Sequence, residues 1–146
     1  TVSSTNLNKC YFYEDKMVLA LPYDEELNNK ESIFEYLNNC VWIGREKGSG
    51  TREYMDMFLN NSKIQPKNML VFGSNFAVKE AVKNNLGVTI ISSLIANSSN
   101  KNKELKIIPL DNHFTRNFSY VLPNNITHSK VNDLFINEFK KFVLLL

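Results

Sequence analysis

Short apolar runs alternate with amphipathic segments along most of this chain. Six of the runs are rich in β-branched or aromatic residues, and several are apolar at successive positions, as strands buried on both faces require. These runs predict strands at residues 17–21, 41–44, 69–72, 88–91, 105–110 and 118–122. Pro109 lies late in the fifth run and favours an edge strand or a bent crossover, because proline lacks the N–H that a central strand needs.

The segments between these runs have the spacing of amphipathic helices. Ser32 is followed three residues later by Glu35, a capping box that predicts a helix beginning at Ser32. The later helices are predicted at about 50–60, 75–85, a short one from about Ser93, and 129–143. Three of these helices each carry an apolar stripe along one face: Thr51, Tyr54, Met55 and Phe58; Val78, Ala81, Val82 and Leu86; and Val131, Phe135, Phe139 and Phe142.

Strands that alternate with helices through short links indicate an α/β fold of right-handed βαβ units around a parallel sheet. The span 96–104 is rich in Asn, Ser and Lys and is predicted to be a loop or a frayed helix end.

The composition is that of an ordinary globular protein. The chain has 146 residues, 43% hydrophobic and 22% charged, which is enough for one domain with a core. The formal net charge is only +2 and the basic residues are scattered, which argues against a dedicated nucleic-acid-binding face. Apolar runs fall well short of the roughly 20 residues of a membrane span, and the first residues lack the pattern of a signal peptide.

Cysteine and histidine usage predicts neither a disulfide framework nor a metal site. Cys10 and Cys40 lack CxxC spacing and are expected to be reduced, buried residues of a cytosolic protein. His113 and His128 have no ligand spacing between them, so we expect no metal. The sequence gives no reason to expect a cofactor.

The segment "VWIGREKGSGTREYMDMFL", residues 41–59, holds the most distinctive turn of the chain. It does not fit the phosphate loop G-x-x-x-x-G-K-[ST] because no Lys follows the second Gly. Glu53 stands where a dinucleotide fingerprint needs its last Gly, and no G-x-S-x-G elbow is present. These missing elements argue against an enzyme.

The same turn suits a non-catalytic anion or polar-ligand site. Gly48, Ser49 and Gly50 allow close approach to the main chain, and Ser49 and Thr51 add hydroxyls. The following helix offers unpaired N–H groups and the positive end of its dipole. The plainer alternative is a strand-to-helix turn in which Ser49 or Thr51 caps the helix. Arg52 follows on the helix and could reach a carboxylate or face solvent.

A second turn repeats this arrangement. In "VFGSNFAVKEAVKNNLGVTIIS", residues 71–92, a strand is followed by Gly73, Ser74 and Asn75 and then by a helix. Both turns would lie at the carboxyl ends of their strands, where ligands bind in open α/β folds. Arg45 and Lys47 could add positive potential there, although solvated surface charge is the preferred interpretation for each.

The strings "REKGSGTRE", "FGSNFAVKEAVKNNLGVTIIS" and "LKIIPLDN…FSYVLP" resemble, in order, the effector-binding domain of LysR-type transcriptional regulators. The stretch "YFYEDKMVLALP" is similar to that family's approach to its second subdomain. The resemblance implies a Rossmann-like three-layer sandwich of the type II periplasmic-binding-protein class. It also implies an effector cleft lined by Gly48, Ser49, Gly50, Thr51 and Arg52, then Ser74 and Asn75, and more weakly Ser92 or Ser93.

The resemblance further implies that residues 22–109 form a complete second lobe, with 1–21 and 110–146 as a remnant of the first. The parent protein would bind DNA as a homodimer or tetramer through an N-terminal winged helix-turn-helix domain that this chain lacks. It would be cytoplasmic, respond to an anionic or polar metabolite and have no membrane partner. With partners absent, the stripe Phe135, Phe139 and Phe142 would be exposed. A solute-binding protein of a transport system is the alternative with the same fold, and a module whose turn binds nothing is a third.

Overall fold

The computed structural model describes residues 7–23, 30–123 and 130–143, with the side chains of 30–32 left aside. The chain divides into two compact units, one of residues 16–115 and one of residues 1–15 with 116–146. The elements, in chain order, are β1 (Leu7–Pro22), α1 (Lys30–Asn39), β2 (Trp42–Arg45), α2 (Gly50–Asn61), β3 (Met69–Phe72), α3 (Asn75–Lys83), β4 (Thr89–Ser92), α4 (Ser93–Lys101), β5 (Leu105–Pro109), β6 (Thr115–Pro123) and α5 (Lys130–Val143).

The sheet of the larger unit is mixed, not parallel as predicted. β2 pairs with β3 in parallel, and a parallel bridge between Trp42 and Val88 brings the start of β4 beside β2. β1, however, runs antiparallel to both β4 and β5, with Val18 opposite Ile91 on one side and Pro109 on the other. The prediction failed because apolar runs do not encode strand direction. β5 lies at the end of the β4-β1-β5 order, as Pro109 predicted.

Strands in the middle of this sheet are buried on both faces, because successive side chains of a strand point to opposite sides. One core contains Met17, Leu19 and Leu21 of β1, and the other contains Val18 and Ala20. The first core receives α1 and α2 through Leu37, Met55 and Leu59, and the second receives α3 and α4 through Val78, Ala81, Val82 and Ala96. The predicted three-layer α/β/α arrangement is therefore confirmed in this unit.

Trp42 anchors the first core. Its side chain has no exposed surface, and its indole N–H donates to the Leu37 carbonyl oxygen at 3.0 Å. The ring lies 5.9 Å from that of Phe58, which in turn lies 5.9 Å from Phe114. Cys40 is half-buried beside this core, and burial raises the pKa of its thiol to about 11. Both cysteines are free and only partly buried.

Several helix boundaries differ from the predictions. α1 already contains Lys30, so Ser32 lies inside the helix and not at its start. α3 ends at Lys83, two residues early, because Asn85 takes the left-handed conformation at φ 61°; Leu86 is then exposed and not part of the buried stripe. α4 continues to Lys101, so of the two alternatives predicted for the polar span 96–104, a loop or a helix end, the structure has the helix end over most of it. No helix within the described ranges has the length and apolarity to cross a membrane.

The smaller unit has an aromatic cluster formed by β1, β6 and α5. The Phe12 ring lies 4.8 Å from Phe139 and 6.3 Å from Phe118. Phe139 is therefore packed, and the prediction that it is exposed is wrong. Phe135 and Phe142 are 69% and 60% exposed, as predicted. Buried Asp15 pairs with Arg116 in the same unit at 2.8 Å.

The close approach of two backbones near Gly87 generates a stability prediction. Gly87 has φ 155°, and a Cβ there would collide with the Val41 carbonyl group, whose carbon lies 2.9 Å away. We expect Gly87→Ala to lower the free energy of unfolding by roughly 2 kcal/mol or more, through strain and loss of the Val41–Val88 contact.

Chemical denaturation of the purified chain measures this loss. Gly73→Ala is the matched control, because a Cβ at Gly73 would meet no atom within 4 Å. The control should change stability by about 1 kcal/mol or less. Equal stability of the two variants would contradict the prediction.

Candidate functional site

Three strand-to-helix junctions open on one edge of the larger unit's sheet. β2, β3 and the start of β4 run in the same direction, so their carboxyl ends lie at the same edge. Each is followed by a helix, either at once or after a short turn, and the residue before each helix is a serine: Ser49, Ser74 and Ser92. This edge therefore collects the positive ends of three helix dipoles.

The first junction is a tight turn whose shape depends on Gly48. The Ser49 N–H donates to the Glu46 carbonyl oxygen at 3.2 Å, and Gly48 has φ 89°. A positive φ at the third residue of a four-residue turn is the geometry that favours glycine. Gly48 thus allows the turn to form. Gly50, the first residue of α2, is exposed, whereas Thr51 is only 5% exposed.

Ser49 precedes α2 in extended conformation, but its side chain accepts no capping hydrogen bond. Only its carbonyl oxygen takes part in the helix, accepting from the Glu53 N–H at 3.1 Å. The alternative in which the Ser49 hydroxyl caps the helix is therefore wrong. The first N–H groups of α2 have no partner within the helix, and a polar ligand is one group that could supply it.

The other two serines are used differently. The Ser74 hydroxyl accepts from the Ala77 N–H at 3.1 Å, and the Ser92 hydroxyl accepts from the Leu94 N–H at 3.2 Å. Ser92 is buried, and Ser93 is the half-buried first residue of α4. Ser74 is exposed and can still donate its own proton while it caps α3.

Arg45 joins the first junction to the second. Its Nη1 donates to Asn75 Oδ1 at 2.9 Å, and its Nε and Nη2 donate to the two Glu46 carboxylate oxygens at 2.8 and 2.7 Å. The side chain is 17% exposed, so its interpretation as a solvated surface charge is wrong; Lys47 is exposed, as that interpretation expected. Thirty positions separate Arg45 from Asn75, and no local sequence signal reports such a contact.

Arg52 is also paired within the fold. Its Nε donates to Asp56 Oδ1 at 2.8 Å, and its Nη1 donates to the Arg45 carbonyl oxygen at 3.1 Å. With a side chain 13% exposed, Arg52 braces the end of β2 against α2. The spacing of four residues on a helix was the available signal for the Asp56 pair.

The paired charges set the electrostatics of the turn. The bidentate hydrogen bonding between Arg45 and Glu46 lowers the pKa of Glu46 to about 2 and raises the pKa of Arg45. Because the folded-state pKa is depressed, the Glu46 pair contributes stability above about pH 4.5, which is lost as the pH falls towards 2. The carboxylate is half exposed, so salt weakens this contribution.

The predicted site residues lie on an open edge, whereas the larger unit has shallow grooves elsewhere. One of about 250 Å³ lies beside α2 and is lined by Glu53, Tyr54, Met57 and His113. Another of about 420 Å³ lies near the end of α2, between Asp56 and Pro66. The predicted residues do not line either groove.

The unequal use of the serines predicts unequal costs of removing them. We expect Ser74→Ala to lower the free energy of unfolding by about 1 kcal/mol, because the α3 cap is lost. Ser49→Ala should change it by about 0.5 kcal/mol or less, because no cap depends on that hydroxyl. Thermal or chemical denaturation of the two variants measures the difference, and a larger loss for Ser49→Ala would contradict this assignment.

The Arg45–Glu46 pair predicts a pH titration that nuclear magnetic resonance can follow. The carboxyl carbon of Glu46 should titrate at about pH 2, and in Arg45→Gln it should titrate near its ordinary 4.5. Lys47→Gln serves as the control, because it removes an exposed positive charge next to Glu46, whereas the ion pair of Glu46 is with Arg45. A Glu46 titration that does not differ between the Arg45→Gln variant and the unmodified chain would refute the pairing.

Several proteins similar in sequence to this chain are regulators of transcription. The chain is 36% identical over 131 residues to the HTH-type transcriptional regulator CysL of Bacillus subtilis, covering 88% of this chain and 44% of that protein. It is 32% identical over 91 residues to the HTH-type transcriptional activator CmpR of Synechocystis, covering 62% of this chain and 30% of that protein. The chain thus spans less than half the length of these relatives.

Solved structures give the same fold. The regulatory domain of Synechocystis CcmR in complex with 2-PG superposes with a TM-score of 0.72 at 24% identity, covering 98% of this chain and 70% of that one. The effector binding domain of QuiR in complex with shikimate gives 0.67 at 15% identity, covering 97% and 68%. These likenesses confirm the predicted α/β fold of the type II periplasmic-binding-protein class.

The sequence family described as the LysR substrate binding domain matches residues 2–143, nearly the whole chain. The three-layer α/β/α sandwich and the row of helix N-termini at its sheet edge are consistent with this match. The chain belongs to the LysR substrate binding domain family.

Proposed function

We propose that this chain is the small-molecule sensing module of a LysR-type transcription regulator. Its effector is an anionic or polar metabolite that binds at the edge where α2 and α3 begin. Ser49, Gly50 and Thr51 contact the effector directly, and Ser74 and Asn75 contact it from the second junction.

The uncapped start of α2 is the observation that carries this proposal. Ser49 has the position and backbone conformation of a cap, yet its hydroxyl makes no capping bond. Helix N–H groups need partners, and a ligand carboxylate, sulfate or phosphate is a partner that the helix dipole favours. Gly48 and Gly50 keep the approach open, since a Cβ at either position would meet no atom within 4 Å.

The ligands named with the structural neighbours support the chemical class. CcmR binds 2-PG and QuiR binds shikimate, and both compounds are small polar acids. The edge described above has the donors that such acids require, namely hydroxyls and main-chain N–H groups.

The effector would act by favouring one conformation of the parent protein. A ligand shifts such an equilibrium only through different affinities for its two states. The parent would be a cytoplasmic homodimer or tetramer that contacts DNA through an N-terminal winged helix-turn-helix domain. The relatives' names support this role, since they are HTH-type regulators of transcription.

The other functions have less support. A transport solute-binding protein would share the fold, but the relatives named above are regulators. A module whose turn binds nothing would leave the Ser49 hydroxyl without a role. Catalysis would need a turnover that Ser49→Ala abolishes.

Calorimetry and thermal unfolding of the 146-residue chain test the proposal with a panel of sulfate, phosphate, shikimate and 2-phosphoglycolate. We expect at least one compound to bind saturably and raise the melting temperature. Ser49→Ala and Thr51→Val should each weaken that compound about 3- to 10-fold, the value of one net hydrogen bond.

Ser98→Ala is the matched control, because Ser98 is exposed on α4 and distant in sequence from both turns. Loss of binding in the Ser49 and Thr51 variants but not in the control supports the proposal. Equal binding by all four proteins would place the ligand elsewhere, and no binding by any compound would favour the module without a ligand.

A further inference from the structure

We propose that Glu46 is an internal stand-in for a carboxylate of the effector. In the free chain its carboxylate accepts from Nε and Nη2 of Arg45, the pair of donors called the guanidinium fork below. A bound effector carboxylate takes the place of the Glu46 carboxylate there. This inference rests on the proposed function and narrows it, because it makes the effector a carboxylic acid and Arg45 the residue that selects it.

The geometry of the pair is that of ligand recognition. Arg45 offers Nε and Nη2 to the two oxygens of one carboxylate at 2.8 and 2.7 Å. This parallel arrangement matches a planar carboxylate better than any single point charge does. The carboxylate that fills it belongs to the neighbouring residue, so the same fork would accept a carboxylate from solution.

Arg45 is held in place without Glu46. Its Nη1 is fixed by Asn75 Oδ1 at 2.9 Å, its carbonyl oxygen accepts from Arg52 Nη1 at 3.1 Å, and its side chain is 17% exposed. The fork would therefore keep its orientation when Glu46 leaves. A preorganised donor of this kind costs little reorganisation on binding.

Glu46, by contrast, can leave easily. Its side chain is 49% exposed, and exposed ion pairs contribute little to stability. Its main chain is fixed separately, because its carbonyl oxygen accepts from the Ser49 N–H at 3.2 Å. A rotation about the side-chain bonds would release the fork without opening the turn.

The position of the fork links it to the proposed site. Arg45 ends β2, four residues before the uncapped Ser49, and it bonds Asn75 at the start of α3. An acid held by the fork would lie at the same sheet edge as the first N–H groups of α2. The carboxylate of Glu46 would then compete with every approaching anion for the guanidinium group of Arg45. Anions that bind this group weakly would fail to displace Glu46.

Glu46→Gln tests the competition, with acetate, shikimate, succinate and sulfate as probes. We expect the variant to bind shikimate or another carboxylate several-fold more tightly than the unmodified chain, and Arg45→Lys to bind it several-fold more weakly. Glu53→Gln is the matched control, because it removes one negative charge from the first turn of α2 without touching Arg45. Equal gains in both glutamine variants would indicate a general electrostatic effect and overturn the proposal.

Magnetic resonance reports the displacement itself. When a carboxylate saturates the unmodified chain at neutral pH, the Glu46 carboxyl carbon signal should move towards its position in Arg45→Gln, and the Arg45 Nε–H signal should persist in a new position. A bound carboxylate that leaves the Glu46 carboxyl signal unchanged would overturn the proposal.

The outcomes separate this inference from the proposed function. If Ser49→Ala weakens binding but Glu46→Gln does not strengthen it, the proposed role of Glu46 is refuted and the proposed sensing function stands. Binding of sulfate with no binding of any carboxylate would do the same. The absence of binding by every probe, to both the unmodified chain and Glu46→Gln, would contradict both.

Discussion

Burial of the central strands on both faces is the constraint from which the rest of the larger unit follows. β1 sends Met17, Leu19 and Leu21 to one side and Val18 and Ala20 to the other, so both sides need helices to cover them. Helices that cover both faces must connect successive strands, and three of those connections begin at the same edge. The row of helix N-termini that forms the candidate site is therefore a result of core packing and not a separate feature.

The polar edge is organised by pairing within the fold. Arg45 and Arg52 would give this edge a strong positive potential if they were free, but Glu46 and Asp56 neutralise them. While Glu46 stays paired with Arg45, the remaining attractive features are dipoles, hydroxyls and main-chain N–H groups, which select by geometry more than by net charge. If an effector binds at this turn as proposed, the turn would discriminate among small acids that have similar charge.

How much of this could be predicted differs from element to element. The strand at residues 69–72 was predicted at its observed bounds because its apolar run is flanked by turn residues. The direction of β1 was not predictable, since alternation specifies the faces of a strand and not its polarity. The end of α3 was missed because its apolar spacing continues past Asn85, whose left-handed backbone is decided by the return to β4 at Gly87.

The sequence by itself determined the α/β class, the existence of six strands and the two glycine- and serine-containing turns, because these depend on local spacing and residue type. It did not determine the length of β1, which begins at Leu7 and not at the predicted Met17. Only the tertiary structure decided which turn residues are free to act. Ser49, Ser74 and Ser92 look alike in sequence, yet the latter two cap helices with their hydroxyls and Ser49 does not. The bond between Arg45 and Asn75 likewise exists only because two parallel strands bring residues thirty positions apart to one edge.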